Sequence, residues 1–226
     1  MKKIFTFTVC IMLSLASLTA RGKIISSVSG GGNLSKKIID DFNCETSGIS
    51  LTGDFKYIPA GSDLVFKFQI VSGVDFGKEK DVLPPVQNDD TTVGVDVKLL
   101  AGLGWSFINT DRNSFGIYGL IGFDSQHFEE TVTLTNYYEN GYSARIEDLK
   151  LTADYSSFLV GIDFDYNFRI SRRVGFAAGC CLTMPLFGEV EYELKDNLTG
   201  NSQKNKEDIK MGGYCITPRI GISWTL

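Results

Sequence analysis

The chain has 226 residues, a formal charge of −5, 43% hydrophobic and 22% charged residues, 24 glycines and one histidine. A single histidine excludes a histidine-rich metal centre, and the acidic balance argues against a nucleic-acid partner, whose phosphates need a basic surface. The apolar fraction argues against a disordered chain, the scattered glycines exclude a collagen-like repeat, and the length suits one domain.

Residues 1–20 read as a cleavable signal peptide. Lys2 and Lys3 open it, Ile4 to Leu15 is apolar apart from small hydroxyl residues, and Ala16, Ser17 and Ala20 close it. The stretch falls short of the roughly 20 apolar residues that a spanning helix needs. Cleavage is expected after Ala20, with Ala16 as the alternative, leaving 21–226 as one barrel domain. No cysteine follows either site, so no lipid-modified terminus is expected. Beyond residue 20 no apolar run is long enough for a membrane helix, so a mature chain in a membrane must cross it as strands.

Alternation with a period of two runs through the rest of the sequence. The first segment, near 23–33, is rich in Gly and Ser and carries the pattern weakly. Segment 49–57 places Ile49, Leu51, Phe55 and Tyr57 opposite Thr52, Asp54 and Lys56. Segment 64–76 places Leu64, Phe66, Phe68, Ile70, Val74 and Phe76 opposite Lys67 and Gln69. From 93 to 107 every odd position is apolar, Val93 through Trp105 and Phe107, with Asp96 and Lys98 between. Segment 115–123 has Phe115, Ile117, Ile121 and Phe123 on one face, with Leu120 blurring the other. Segments 158–170, 174–186 and 214–226 repeat the pattern, with Asp163, Asp165 and Arg169 on the polar face of the first and Arg219 on that of the last. A helix would spread such residues around its whole surface. These are eight strands.

The links alternate in length. Short ones lie at 58–63, 108–114 and 171–173, and long polar ones at about 34–47, 77–91, 124–156 and 187–213. The third long link contains an alternating run, Thr131 to Leu134, and the hairpin dipeptide Asn140-Gly141, so it is expected to rise as a β-ribbon. Transmembrane barrels have short periplasmic turns and longer extracellular loops. The expectation is therefore an all-β, eight-stranded antiparallel up-and-down transmembrane barrel. A soluble barrel or sandwich with its apolar face inward fits the alternation equally, but two further features oppose it. The polar face is rich in glycine (Gly94, Gly102, Gly104, Gly116, Gly122, Gly161, Gly175, Gly179, Gly221), which suits the crowded interior of an eight-stranded barrel. Aromatic residues gather at both strand ends, as a membrane girdle requires: Tyr57, Phe66, Trp105, Phe107, Phe115, Tyr166, Phe168 and Trp224 at one, Phe76, Phe123, Phe158, Phe187 and Tyr214 at the other.

Arg219, Gly221, Trp224 and Leu226 form a polar-x-Gly-x-x-aromatic-x-apolar pattern at the end of the sequence. It resembles the sorting signal read by the bacterial barrel-assembly machinery, with Leu226 where an aromatic residue is usual. Over 21–226 the chain resembles the small outer-membrane barrels: outer-membrane proteins X and W and the membrane domain of outer-membrane protein A. That resemblance implies a bacterial outer-membrane location, outer-membrane lipids as neighbours and the assembly machinery as a partner during insertion. Pro218 fits poorly in a strand paired on both sides, and a local bulge is expected there.

With the polar face inward, Asp54, Asp96, Asp163 and Asp165 meet Lys56, Lys67, Lys98, Arg169 and Arg219, and a salt-bridged plug is expected because buried charge is costly unless paired. On that reading Ile162→Arg should harm the protein far more than Asp163→Asn. Ser125, His127 and Glu129 share a strand face and invite comparison with lipid-modifying hydrolases, but a polar loop base is the plainer reading. Cys181 and Cys215 face inward on neighbouring strands, either bridged or as apolar filler. No zinc spacing, no other metal or cofactor motif and no phosphate loop at Gly30–Gly32 are found. The expected function is non-enzymatic, with outer loops serving adhesion, host contact or envelope structure; the alternative is a narrow channel or conduit for small, even hydrophobic, molecules.

Overall fold

A computed structural model describes residues 22–39, 42–78, 91–136, 145–196 and 200–226. The expected signal peptide and Asn140-Gly141 lie outside these residues. Eight strands close into one antiparallel barrel in chain order: β1 (Gly22–Ile39), β2 (Phe42–Pro59), β3 (Leu64–Lys78), β4 (Thr91–Asn109), β5 (Asn113–Asn136), β6 (Arg145–Arg169), β7 (Val174–Asp196) and β8 (Ser202–Thr225). Closure is made by β1 against β8, from Ile25↔Thr225 to Ile39↔Met211. With no edge left free, every strand has a ladder partner on both sides.

The facing follows the alternation. Val93, Val95, Val97, Leu99, Leu103, Trp105 and Phe107 on β4 are exposed, as are Ile162, Phe164, Tyr166 and Phe168 on β6, while the residues between them turn inward. The exposed apolar belt therefore runs around the outside. Leu120 is inward, in a buried cluster with Ile25, Ile58, Val65, Leu100, Tyr118, Leu159 and Cys181. Glycine makes room for the large inward rings. Gly94 and Gly104 on β4 pair with Phe128 and Tyr118 on β5, and a Cβ at either glycine would lie 2.4 or 2.3 Å from the partner ring.

Two local expectations are corrected. The long links are largely strand: β1 and β2 are separated only by residues 40–41, and β7 and β8 by 197–201, so the outer connections are mostly paired ribbon rather than coil. The β5–β6 pair does rise as a ribbon, from Asn136↔Arg145 downward. Pro218 causes no bulge: the β1–β8 ladder stops at Gly31↔Arg219 and resumes in the same register at Leu34↔Ile216, so the missing donor falls in a gap. Thr217 Oγ1 spans that gap by donating to Asn33 Oδ1 at 3.0 Å. Bulges lie elsewhere: on β4, where the β4–β5 register shifts between Ser106↔Gly116 and Ile108↔Phe115, and on β7, where the β6–β7 register shifts between Phe158↔Phe187 and Leu159↔Pro185, leaving Leu186 and Phe187 both exposed.

Candidate functional site: the ionic interior

The inward polar residues form two separate networks rather than one. In the first, Arg219 of β8 grips Asp163 of β6 with both terminal nitrogens, at 2.7 and 2.8 Å. Lys67 of β3 bonds Asp163 and also reaches Asp54 and Asp165, each at 2.9 Å. Lys56 pairs with Asp165 at 2.7 Å, and Gln69 and Ser27 donate to Asp54. The Lys67 ammonium also sits 4.8 Å from the centre of the Tyr118 ring, a cation–π contact. Three acids meet three bases, so the network is neutral. Asp54, Asp163 and Asp165 lie close enough together to chelate a metal ion, but two lysines and an arginine already occupy the space between them.

The second network contains residues that the sequence reading placed in loops or passed over. Lys37 bonds Asp124 at 2.7 Å and Gln126 at 2.8 Å. Gln126 and Asn33 donate to the two oxygens of Asp75, at 2.6 and 2.8 Å. Lys98 pairs with Asp96 on its own strand at 2.6 Å and touches Cys215 Sγ at 3.4 Å. Lys37 and Asp124 were expected in outer links, yet both keep the inward parity of their strands: Lys37 follows Asn33 and Ser35, and Asp124 follows Leu120 and Gly122. That continued parity was the available signal.

Arg169 is the expected network member that the structure removes. It is half-buried at the short-turn mouth, where it lines a cavity of about 10 Å³ with Lys23, Asp111, Arg112 and Asn167, space for about one water. Among the other expected residues, Gly221 packs tightly against Val28 and Ser29 of β1, while Trp224 and Leu226 are exposed on the outer face. Cys181 and Cys215 are both buried free thiols. Cys181 stands opposite Thr217 and Cys215 opposite Thr183, two residues out of step, and Cys215 Sγ donates to Asn33 Oδ1 at 2.8 Å. They fill space.

Ser125, His127 and Glu129 do share the exposed face of β5. His127 Nδ1 bonds Asp154 Oδ1 at 2.5 Å, and Nε2 lies 3.9 Å from Glu129. Both ring nitrogens face carboxylates, so no base is presented to Ser125, and a hydrolytic triad is not assembled. The ribbon carries further surface pairs: Lys36–Glu45, Lys150–Glu129, Lys204 with Glu191 and Glu193, and Lys206–Glu189. The hydrogen bond from Lys204 holds the Glu191 carboxyl below its ordinary range, although exposed pairs of this kind add little stability.

At the outer aromatic girdle, Phe123, Phe158 and Phe187 form a ladder across β5, β6 and β7, with ring centres 5.5 and 5.3 Å apart. A groove of about 450 Å³ runs beside them, with Leu99 on the apolar side and Ser125, Ser156, Glu189 and Asp208 on the polar side.

A closed eight-stranded ring, an outward apolar belt, aromatic girdles and an inward ionic core define a transmembrane barrel of the bacterial outer-membrane type. The chain is similar in fold to a solved outer-membrane protein. The chain superposes on a major outer membrane protein of Thermus thermophilus with a TM-score of 0.52, 10% identity, and coverage of 90% of this chain and 99% of that one. Neisserial surface protein A matches with a TM-score of 0.49 at 10% identity, covering 89% and 96% of the two chains. OprG from Pseudomonas aeruginosa matches with a TM-score of 0.47 at 12% identity, covering 91% and 96%. No family model and no curated protein matches the sequence.

Proposed function

We propose that this is a non-enzymatic, non-conducting outer-membrane barrel that serves as a rigid support for the ribbons and loops on its outer side. The observation that carries this reading is the burial of the core. Among the five lysines and arginines and six aspartates of the two networks, none exposes more than 6% of its surface. Side chains lining a water-filled pore would be wetted. Among the described residues, the outer faces of β5–β8 carry Glu129, Asp154, Glu189, Glu191, Glu193 and Asp208 against Lys150, Lys195, Lys204 and Lys206, an acidic excess that favours basic or cation-bridged ligands for adhesion or host contact. In planar bilayers at neutral pH the purified barrel is expected to be silent; discrete single-channel openings would overturn the closed-core reading.

The groove favours a second reading, lateral partition of small apolar molecules at the outer girdle. A tryptophan placed by Phe158→Trp should then be quenched by an apolar brominated probe at concentrations that leave Trp105 and Trp224 unaffected in the unaltered chain. Equal quenching at all three positions would reduce the groove to ordinary lipid contact.

A further inference from the structure

The two networks differ in their charge balance, and the difference has a chemical consequence. The network around Arg219 is neutral. Among the described residues, the outer network sets Asp75, Asp96 and Asp124 against Lys37 and Lys98, leaving one negative charge in a region where every one of these side chains is at least nineteen-twentieths buried. An uncompensated buried charge is costly, so the layer requires one more positive charge than its described residues supply.

The unmet hydrogen-bonding capacity shows where it belongs. Asp75 is satisfied, since amide groups of Gln126 and Asn33 donate to its two oxygens. Asp96 and Asp124 each have one oxygen, Oδ1, with no partner, although the residues are 0% and 3% exposed. The two side chains are both inward and occupy a diagonal across the adjacent strands β4 and β5, Asp96 facing Gln126 and Asp124 facing Lys98. A third orphan, Ser157 Oγ, is inward on β6 directly across from Asp124, in a residue only 4% exposed. The other titratable groups facing this point are Lys37 from β1, Asp75 from β3, Lys98 from β4, Tyr155 from β6 and Cys215 from β8.

We infer that the barrel binds one monovalent cation between Asp96 Oδ1 and Asp124 Oδ1, with Ser157 Oγ as a third oxygen. The shared chemistry is a single positive charge bridging two carboxylates. It is supplied either by a proton held in common or by an alkali ion. Binding neutralises the layer; a proton partners the two carboxylate oxygens with each other, and an alkali ion engages Ser157 Oγ as well. It also makes tight closure of the outer half of the core conditional on that charge.

Unfolding midpoints in detergent separate the two sources. If a proton bridges the pair, the folded chain binds one proton more than the unfolded chain, and the midpoint falls by a few degrees as pH rises through its release. If an alkali ion does, the midpoint rises with sodium or potassium chloride but not with choline chloride at equal ionic strength. In either case Asp96→Asn should abolish the response while keeping the midpoint, because the carboxamide removes the surplus charge and supplies a donor. Asp124→Asn is the second variant should the first fail to refold, and the infrared band of a buried protonated carboxyl in the unaltered protein reports the proton directly. A midpoint indifferent to pH and to alkali ions, or an Asp96→Asn response equal to that of the unaltered chain, would overturn the inference.

Discussion

Replacing Ile162 by arginine is expected to cost about 2–4 kcal/mol of stability, the price of a guanidinium on the lipid face near mid-membrane. Ile162 is 48% exposed on the outer face of β6, between Val160 and Phe164, so its side chain meets acyl chains directly. Ile162→Leu keeps the surface apolar and should change stability little. Urea titration of the barrel in lipid vesicles measures both, and an arginine tolerated as well as leucine would mean that this face does not meet lipid.

The second large effect falls on the neighbouring residue and reverses an expectation drawn from sequence. Inward parity alone predicts a mild effect for Asp163→Asn. In the structure Asp163 is fully buried, holds Arg219 with both oxygens and also bonds Lys67. Removing its charge leaves the buried network with one positive charge in excess, two carboxylates, Asp54 and Asp165, then facing Lys56, Lys67 and Arg219. Losses of about 3–5 kcal/mol are typical when one partner of a buried pair is removed. Asp163→Asn should therefore rival Ile162→Arg for a different reason, and combining it with Arg219→Gln should recover part of the loss. A cost under about 1 kcal/mol, the range of surface pairs, would mean that water reaches the network.

Much of the fold was legible because membrane strands obey a strict parity. Val93 to Phe107 and Phe158 to Ile170 announced their faces, and the aromatic rings marked both rims. Parity was followed only as far as the apolar belt, however, and polar residues beyond it were read as loop. This displaced Lys37 and Asp124 from the core and merged two networks into one. Arg169 failed for the opposite reason, since it has inward parity but stands at the mouth, where its long side chain reaches the rim. The β7 bulge was not readable, because Leu186-Phe187 continues the apolar run while the facing changes beneath it. Parity alone also gives no charge count within a layer, so the surplus carboxylate emerged only when Lys37 and Lys98 were seen to pair with Asp124 and Asp96 while Asp75 is held by the amides of Gln126 and Asn33.

The central claim is that apolar side chains face lipid and ionic ones face the axis, and the two native tryptophans test it without any substitution. Trp105 and Trp224 are 52% and 40% exposed on the outer surface. In vesicles whose acyl chains carry bromine near the headgroup, both should be strongly quenched, while aqueous iodide should have little effect. Fluorescence indifferent to brominated lipid, in a protein that stays dissolved without detergent, would contradict the claim.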